Sequence, residues 1–197
     1  QIRIRLDKQA LVISHGDANS ISVNFKGGAL TELVNAGIWE DQIDGKWVGQ
    51  EYDDWFSSVL GQRVRLIHMD AGVSRPLQKP SLPQDRDFEV SFADGYPYLL
   101  TSQSSLDDLN SKLSQPVPMD RFRSNLVVSG FEAFAEDNWK RIKIGDVEFQ
   151  VVKPCARCQV TTIDQDTGAA SKEPLKTLAT YRKIGGKVMF GMNLVSL

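Results

Sequence analysis

Cysteine and histidine are scarce: two of each occur in 197 residues. A structural zinc site takes four ligands, commonly as two knuckles. Here Cys155 and Cys158 make a single pair, while His15 and His68 stand alone and far off in sequence, so a zinc knuckle is disfavoured. Two cysteines form no disulfide framework, which points to a reducing compartment and a cytoplasmic location. They also fall short of the four thiolates that usually hold an iron–sulfur cluster. The chain has no Lys/Arg run and a formal net charge of −2, which gives no footing for nucleic-acid binding. No apolar run is long enough to span a bilayer, so no membrane association is expected, and no secretory signal is visible. Internal repeats and low-complexity tracts are absent too. What is there, 41% hydrophobic and 24% charged residues, is the composition of a soluble globular protein, sized for one large domain or two small ones.

Short strands dominate the first part. Ile2, Ile4 and Leu6 alternate with Arg3 and Arg5, the period of a half-buried strand. Leu11–Ile13 and Ile21–Phe25 follow, separated by a turn-rich segment that holds His15, and Gly37–Glu40 reads as a further strand. Gln50–Leu60 reads as a helix: Tyr52, Trp55, Phe56 and Val59 make one apolar stripe, expected to be core, and Gly61 suits its C-terminal stop. Val64, Leu66 and His68 share one face of a strand. Residues 73–87 contain Pro76, Pro80 and Pro83 and few strong hydrophobes, the composition of an extended connector or of a mobile loop over a pocket.

The second part is expected over 88–197. Ser102–Leu113 reads as a helix with Leu106, Leu109 and Leu113 on one face, Asp107 and Asp108 in its first turn, and Pro116 and Pro118 ending it. Leu126–Ser129 reads as a short buried strand. Residues 141–152 read as a hairpin around a Gly145-Asp146 turn. Leu175–Tyr181 reads as a helix, and 188–190 and 193–195 as late strands.

Chemistry concentrates at Val151-Val-Lys-Pro-Cys-Ala-Arg-Cys158. Both cysteines lie beside Lys153 and Arg157, and nearby cations stabilise a thiolate. A thioredoxin-like site needs the pair at a helix N-terminus. Here the pair runs into β-branched Gln159–Asp164, which reads as strand, and then into an Asp166-Thr-Gly168 turn. Residue type alone leaves two readings open: one cysteine as ligand to a metal inside a cofactor, or two buried cysteines acting as small hydrophobes. The second is the plainer.

Lys153-Pro-Cys-Ala-Arg-Cys158, followed by Thr161-Thr162 and Asp164-x-x-Thr-Gly168, resembles the signature of MOSC domains, the molybdenum cofactor sulfurase C-terminal domains. The resemblance is nearest to the subgroup of YcbX-type proteins and the mitochondrial amidoxime-reducing component. Blocks at 91–100, Arg121-Phe-Arg-Ser-Asn-Leu-Val-Val-Ser-Gly130, Ala135-Glu-Asp-Asn-Trp139, Ile144-Gly-Asp146, Glu173-Pro-Leu-Lys-Thr-Leu178 and Phe190-Gly-Met-Asn193 agree in order and spacing. The resemblance covers about residues 88–197 with high specificity and is looser over 1–70.

That resemblance implies an α+β, mostly β fold: a β-barrel-like MOSC domain over 88–197, preceded over 1–72 by part of a small β-rich N-terminal domain with one prominent helix. It also implies a pterin-based molybdenum cofactor. The second cysteine of the pair is then the metal ligand and the catalytic centre, here Cys158, with Cys155 a structural neighbour. Arg123 and Arg157 match cofactor-binding arginines, Asn125 a polar contact, Ala156 a close contact, and Asp94, Gly95 and Tyr96 a loop lining the cofactor. Each has a plainer reading: Arg123 pairing with Asp120 or Glu136, Asn125 satisfying local backbone, and Asp94-Gly95 as an ordinary turn.

The activity implied is a two-electron reduction of N-hydroxylated compounds, such as hydroxylamines, amidoximes or N-hydroxylated bases, with detoxification of such bases as its use. Electrons would come from an iron–sulfur, ferredoxin-like partner in cis or trans, or from haem. The family is also associated with pyridoxal phosphate binding. Two other functions compete: a carrier of cofactor or of persulfide sulfur on the same cysteine, and a non-catalytic β-rich module. Gln1 and the strand-like last residues read as the ends of an internal piece of a longer chain. The resemblance leads one to expect a lysine-bearing segment before residue 1 and a closing strand after residue 197.

Overall fold

The alternation at the start does build a strand, β1 (Ile2–Asp7), which pairs antiparallel with β2 (Ala10–His15). The structure is a computed structural model, and it describes residues 2–16, 19–24, 32–69, 72–77, 82 and 86–197. The chain divides into two compact units, Gln1–Arg75 and Pro76–Leu197. Together the described residues make an α+β fold that is mostly β.

In the first unit β2 also pairs with β3 (Asn19–Asn24), with Ile13 facing Ile21 across the ladder. Ile13 is buried, whereas Ile4 and Leu6 of β1 are exposed on the edge strand. His15 is the last residue of β2 and not part of the turn, and Phe25 of the expected third strand lies outside the described residues. A second sheet joins β4 (Leu33–Ile38), β5 (Asp41–Trp47) and β6 (Ile67–His68). The strand expected at Gly37–Glu40 is therefore wrong in place. Trp39 takes a positive φ of 55° and with Glu40 turns β4 into β5. The strand through Val64, Leu66 and His68 shrinks to Ile67 and His68 because Asp53 and Ser57 accept hydrogen bonds from the backbone amides of Leu66 and Val64.

Helix α1 (Gln50–Leu60) ends at Gly61 in the left-handed region, as its composition predicts. Its aromatic stripe is only half-buried; the one buried residue of the helix is Asp53. The stripe is amphipathic in use: Tyr52 OH donates to the Ser22 carbonyl at 3.2 Å and Trp55 Nε1 to Asn19 Oδ1 at 2.6 Å. Tryptophan and tyrosine behave this way when one end of the ring is apolar and the other needs a partner. Asp53 is tolerated inside because Trp47 Nε1 and the Leu66 amide both donate to it at 2.8 Å.

In the second unit a curled half-barrel sheet runs in the order β8-β7-β12-β10-β9, with β11 on β12. Its strands are β7 (Tyr98–Ser102), β8 (Leu126–Val128), β9 (Arg141–Ile144), β10 (Val147–Ala156), β11 (Lys183–Ile184) and β12 (Lys187–Ser196). Among the described residues, only β7 and β8 pair in parallel. The Gly145-Asp146 turn joins β9 to β10 as its composition dictates, while the two late strands prove to be one, β12. Val127 of β8 is exposed, so that strand is not buried throughout.

Helix α2 (Gln103–Asn110) is shorter than its leucine pattern implies. Asn110 stops it by exchanging two side-chain hydrogen bonds with the Val117 backbone, 2.9 and 3.0 Å, well before Pro118. Because the helix begins at Gln103, Asp107 and Asp108 lie beyond its first turn, not in it. Helix α3 is Leu175–Tyr181. Leu106, Leu109, Val117, Phe122, Leu178 and Phe190 form one apolar cluster; Leu100, Phe149, Val151, Met192 and Leu194 form another. Leu77 and Leu82 join Phe88, Val90 and Val195 in a third. So the described part of the 73–87 stretch buries leucines, while 78–81 and 83–85, including Pro80 and Pro83, lie outside the described residues.

Strand β12 places Phe190 in a different cluster from Met192 and Leu194, though a strict two-residue period would group them. The break falls at Gly191, which takes φ +77°. The β10–β12 register slips at the same place, where Pro154 faces Met192 but Ala156 faces Met189. Cys155 therefore sits opposite a β-bulge, a device that re-aims side chains beside sites.

Candidate functional site

Two segments converge where β10 ends. The first is the 3₁₀ turn Met119–Phe122, closed by Arg123 in the left-handed region at φ 53°. A non-glycine residue held there stores strain of about 1–3 kcal/mol, which persists only where the surroundings impose it. The second is Cys155–Cys158 at the β10 exit, followed by a 3₁₀ turn over Gln159–Thr162. This turn replaces the strand expected from β-branched Val160, Thr161 and Thr162. Thr161 and Thr162 instead spend their hydroxyls on the carbonyls of Cys158 and Gln159, at 3.0 and 2.7 Å, the local bonding that competes with a ladder.

Arg157 ties the segments together. Its Nη1 donates to Cys155 Sγ at 3.1 Å and its Nη2 to the Phe122 carbonyl at 2.7 Å. Its backbone amide donates to Val188 at 2.7 Å, and its guanidinium carbon lies 5.7 Å from the Phe122 ring centroid. Its Nε is buried with no partner among the described residues. The planar fork of arginine makes this two-way bridge; lysine could not. The Phe122 ring in turn stacks on Phe190 with centroids 4.0 Å apart, so the turn is fixed to the core.

Cys158 is exposed, and no donor reaches its Sγ among the described residues; Cys155 is half-buried, and both thiols are free. Neither is the fully buried hydrophobe of the plainer reading. Arg123 is exposed, with no side-chain partner among the described residues, so neither of its expected surface pairings forms. Asn125 Oδ1 accepts from the Leu99 amide at 2.8 Å, and its own amide donates to the Leu99 carbonyl at 3.0 Å. Its carbonyl end therefore does the backbone work of the plainer reading, at the junction of β7 and β8. Ala156 is exposed at the end of β10. Asp94, Gly95 and Tyr96 lie just before β7, and Tyr96 takes Lys153 Nζ over its ring at 5.2 Å. That contact brings the 94–96 loop to β10.

Sequence reasoning gave no role to Arg121 or Asp164. Buried Arg121 donates from Nη2 to Asp164 Oδ2 at 2.7 Å. Asp164 Oδ1 accepts from the Thr167 amide and hydroxyl, both at 2.8 Å, and from the Asp166 amide at 3.2 Å. The two Thr167 bonds, with Arg121 and the Asp166 amide adding to them, hold the Asp164 carboxyl down at about 2. The Asp-x-x-Thr-Gly spacing was the available signal, since a carboxylate accepts from amides two and three residues on. Farther along the unit, Glu136 is fully buried; Ser105 donates to its Oε1 at 2.7 Å and its Oε2 has no partner among the described residues. Burial pushes the Glu136 carboxyl above its ordinary range. No group of metal-ligating His, Cys, Asp or Glu occurs among the described residues, and no helix among them is long and apolar enough to cross a membrane.

A family model described as MOSC domain matches residues 87–197. The chain is 36% identical over 186 residues to the mitochondrial amidoxime-reducing component 1 of Homo sapiens, covering 92% of this chain and 55% of that protein. It is 37% identical over 186 residues to the mitochondrial amidoxime reducing component 2 of Rattus norvegicus, with the same coverage of 92% and 55%. Against component 1 of Danio rerio it is 39% identical over 156 residues, 76% of this chain and 47% of that protein. The chain thus spans about half the length of the curated relatives it matches.

Proposed function

This chain belongs to the MOSC domain family, and from that premise we propose that it is the cofactor-binding core of a molybdenum-dependent reductase of N-hydroxylated compounds. The printed names of its relatives, amidoxime-reducing components, support the reaction class. One observation carries the reading: an exposed, uncommitted thiol, Cys158, follows directly on an arginine anchored at both tips of its fork.

The residues fit a pterin-based molybdenum group. A thiolate is the soft ligand such a metal takes, and Cys158 offers it to solvent. The buried, unpartnered Nε of Arg157 and the exposed guanidinium of Arg123 are donors without acceptors among the described residues. Cationic donors of this kind bind a phosphate by charge-assisted hydrogen bonds. Ala156, Asn125 and the 94–96 loop complete the proposed contacts, and Lys153 holds Tyr96 of that loop in place. When bound, the molybdenum supplies the two-electron redox centre at which the N–O bond is reduced.

The chain's own part is to bind and orient. Cys155 and the Phe122 carbonyl fix the Arg157 plane, so the arginine does not have to be ordered when an anion arrives. The bulge in β12 faces Cys155, and Cys158 is exposed just beyond the end of β10. A small N-hydroxylated molecule is the proposed substrate and an iron–sulfur protein the proposed donor. Two free thiols suit a reducing compartment such as the cytoplasm.

The deciding experiment measures molybdenum per chain in the full-length protein and in Cys158→Ser, together with reduction of an N-hydroxylated base by an artificial donor. About one molybdenum per chain, lost in the variant, with turnover by the loaded wild type, is the expected result. Cyanide-releasable sulfur on Cys158 without molybdenum would overturn it in favour of a sulfur carrier.

A further inference from the structure

Three consecutive residues, Arg121-Phe122-Arg123, reach both flanks of Cys158. Behind it in sequence, the Phe122 carbonyl accepts from Arg157 at 2.7 Å. Ahead of it, Arg121 is ion-paired with Asp164 at 2.7 Å. Between those two fixed residues the chain makes a single 3₁₀ turn, tied by the Thr161 amide and hydroxyl to the Cys158 carbonyl at 3.3 and 3.0 Å. The third residue, Arg123, closes its own turn through its amide to the Asp120 carbonyl at 3.0 Å.

Asp164 is built as a fixed post. Its backbone amide donates to Ala169 and its carbonyl accepts from Gly168, at 2.9 and 2.8 Å, while Oδ1 is occupied by Thr167 and Asp166. Oδ2 accepts from Arg121. Arg121 is buried and its Nε has no partner among the described residues, so the ion pair is its one charged contact there. A pair of this sort, buried on the arginine side and half-exposed on the aspartate side, adds little net stability but is directional.

We propose that Arg121 and Asp164 are positioning residues, a clamp that sets the Arg123 turn and the Cys158 turn in one rigid frame. The role assigned to that frame rests on the function proposed above; the clamp itself does not. Neither residue is among the proposed cofactor contacts. Cutting the pair leaves Arg157 and the packing of the two turns to hold the segments together, so each segment opens more readily without the other.

Amide hydrogen exchange on the apoprotein tests this, with Asp164→Asn, Arg121→Gln and, as a control, Asp137→Asn, which cuts the separate Arg182–Asp137 pair. The clamp predicts a crossed effect. In Asp164→Asn the Arg123 amide loses at least about tenfold protection, and in Arg121→Gln the Thr161 amide does so, while Asp137→Asn leaves both within about twofold. In the molybdenum-loaded protein both clamp variants should retain several-fold less metal, and the exchanged pair, Arg121→Asp with Asp164→Arg, should recover part of it. Deprotection confined to the mutated segment, or equal deprotection in the control, overturns the proposal, as does full metal retention in both clamp variants. If the wild type itself carries no molybdenum, the functional reading fails, and the crossed exchange still decides for or against the clamp.

Discussion

Replacing Gly191 by alanine probes the joint on which the site is built. A Cβ at this position would stand 2.6 Å from the Leu100 carbonyl oxygen, 2.8 Å from Thr101 Cγ2 and 3.2 Å from Leu99 Cδ1. The first contact is backbone of β7, paired to β12 through Leu100 and Met192, so it cannot yield without disturbing the ladder. The residue also holds φ +77°, which costs an alanine about 1–2 kcal/mol. Overpacking adds about 1–3 kcal/mol, giving a total of about 2–5 kcal/mol. Urea unfolding read by amide hydrogen exchange of the β10 and β12 amides should show that loss in the second unit. Cys155 lies opposite the bulge, so its alkylation rate in the native protein should rise as well. A loss below about 1 kcal/mol would refute the reasoning, since neither the clash nor the left-handed penalty could then be real.

Two further outcomes follow from single groups. Arg157→Lys keeps the charge but can reach only one of Cys155 Sγ and the Phe122 carbonyl; the variant should fold and yet retain several-fold less molybdenum, measured per chain, and equal retention would remove Arg157 from the proposed cofactor contacts. Glu136 is buried beside Ser105, Asp137 and Arg182 and its folded pKa is raised, chiefly by burial. A raised folded pKa gives stability that is complete below the ordinary carboxylate range and lost as pH rises through the raised value. Glu136→Gln keeps an acceptor for Ser105 and cannot ionise, so its stability should be flatter with pH, with a lead over the wild type that grows as pH rises; parallel curves for the two proteins would contradict this.

The elements that the sequence made legible are those whose signal is local. Gly61 stops α1 where its conformational freedom allows, and Gly145-Asp146 turns the β9–β10 hairpin. The aromatic stripe of α1 misled because apolar periodicity cannot distinguish a buried ring from one that hydrogen-bonds at its tip, as Tyr52 and Trp55 do. Gln159–Thr162 misled because β-branching favours strands only when a partner strand is present; here threonine hydroxyls hold a 3₁₀ turn. At the site, Cys158, Arg157 and Arg123 were visible through motif resemblance. Arg121 and Asp164 were visible as letters of the same motifs, but their pairing spans 43 positions in sequence and no local pattern encodes it.

The spacing of the site motifs has a physical cause once these contacts are taken together. A thiol that must face outward cannot also be packed, so its position has to be set by its neighbours along the chain. Arg157 and Asp164 do this on either side, and both are referred to one tripeptide whose central ring is stacked in the core on Phe190. Phe190 is in turn placed by the register break at Gly191, a residue whose missing Cβ leaves room for the Leu100 carbonyl of β7. Rigidity therefore passes from the core through Phe190 and Phe122 to the two arginines and the cysteine. Loss of either arginine link should loosen the site before it unfolds the unit, because those links tie turns that lie outside the main-chain ladders.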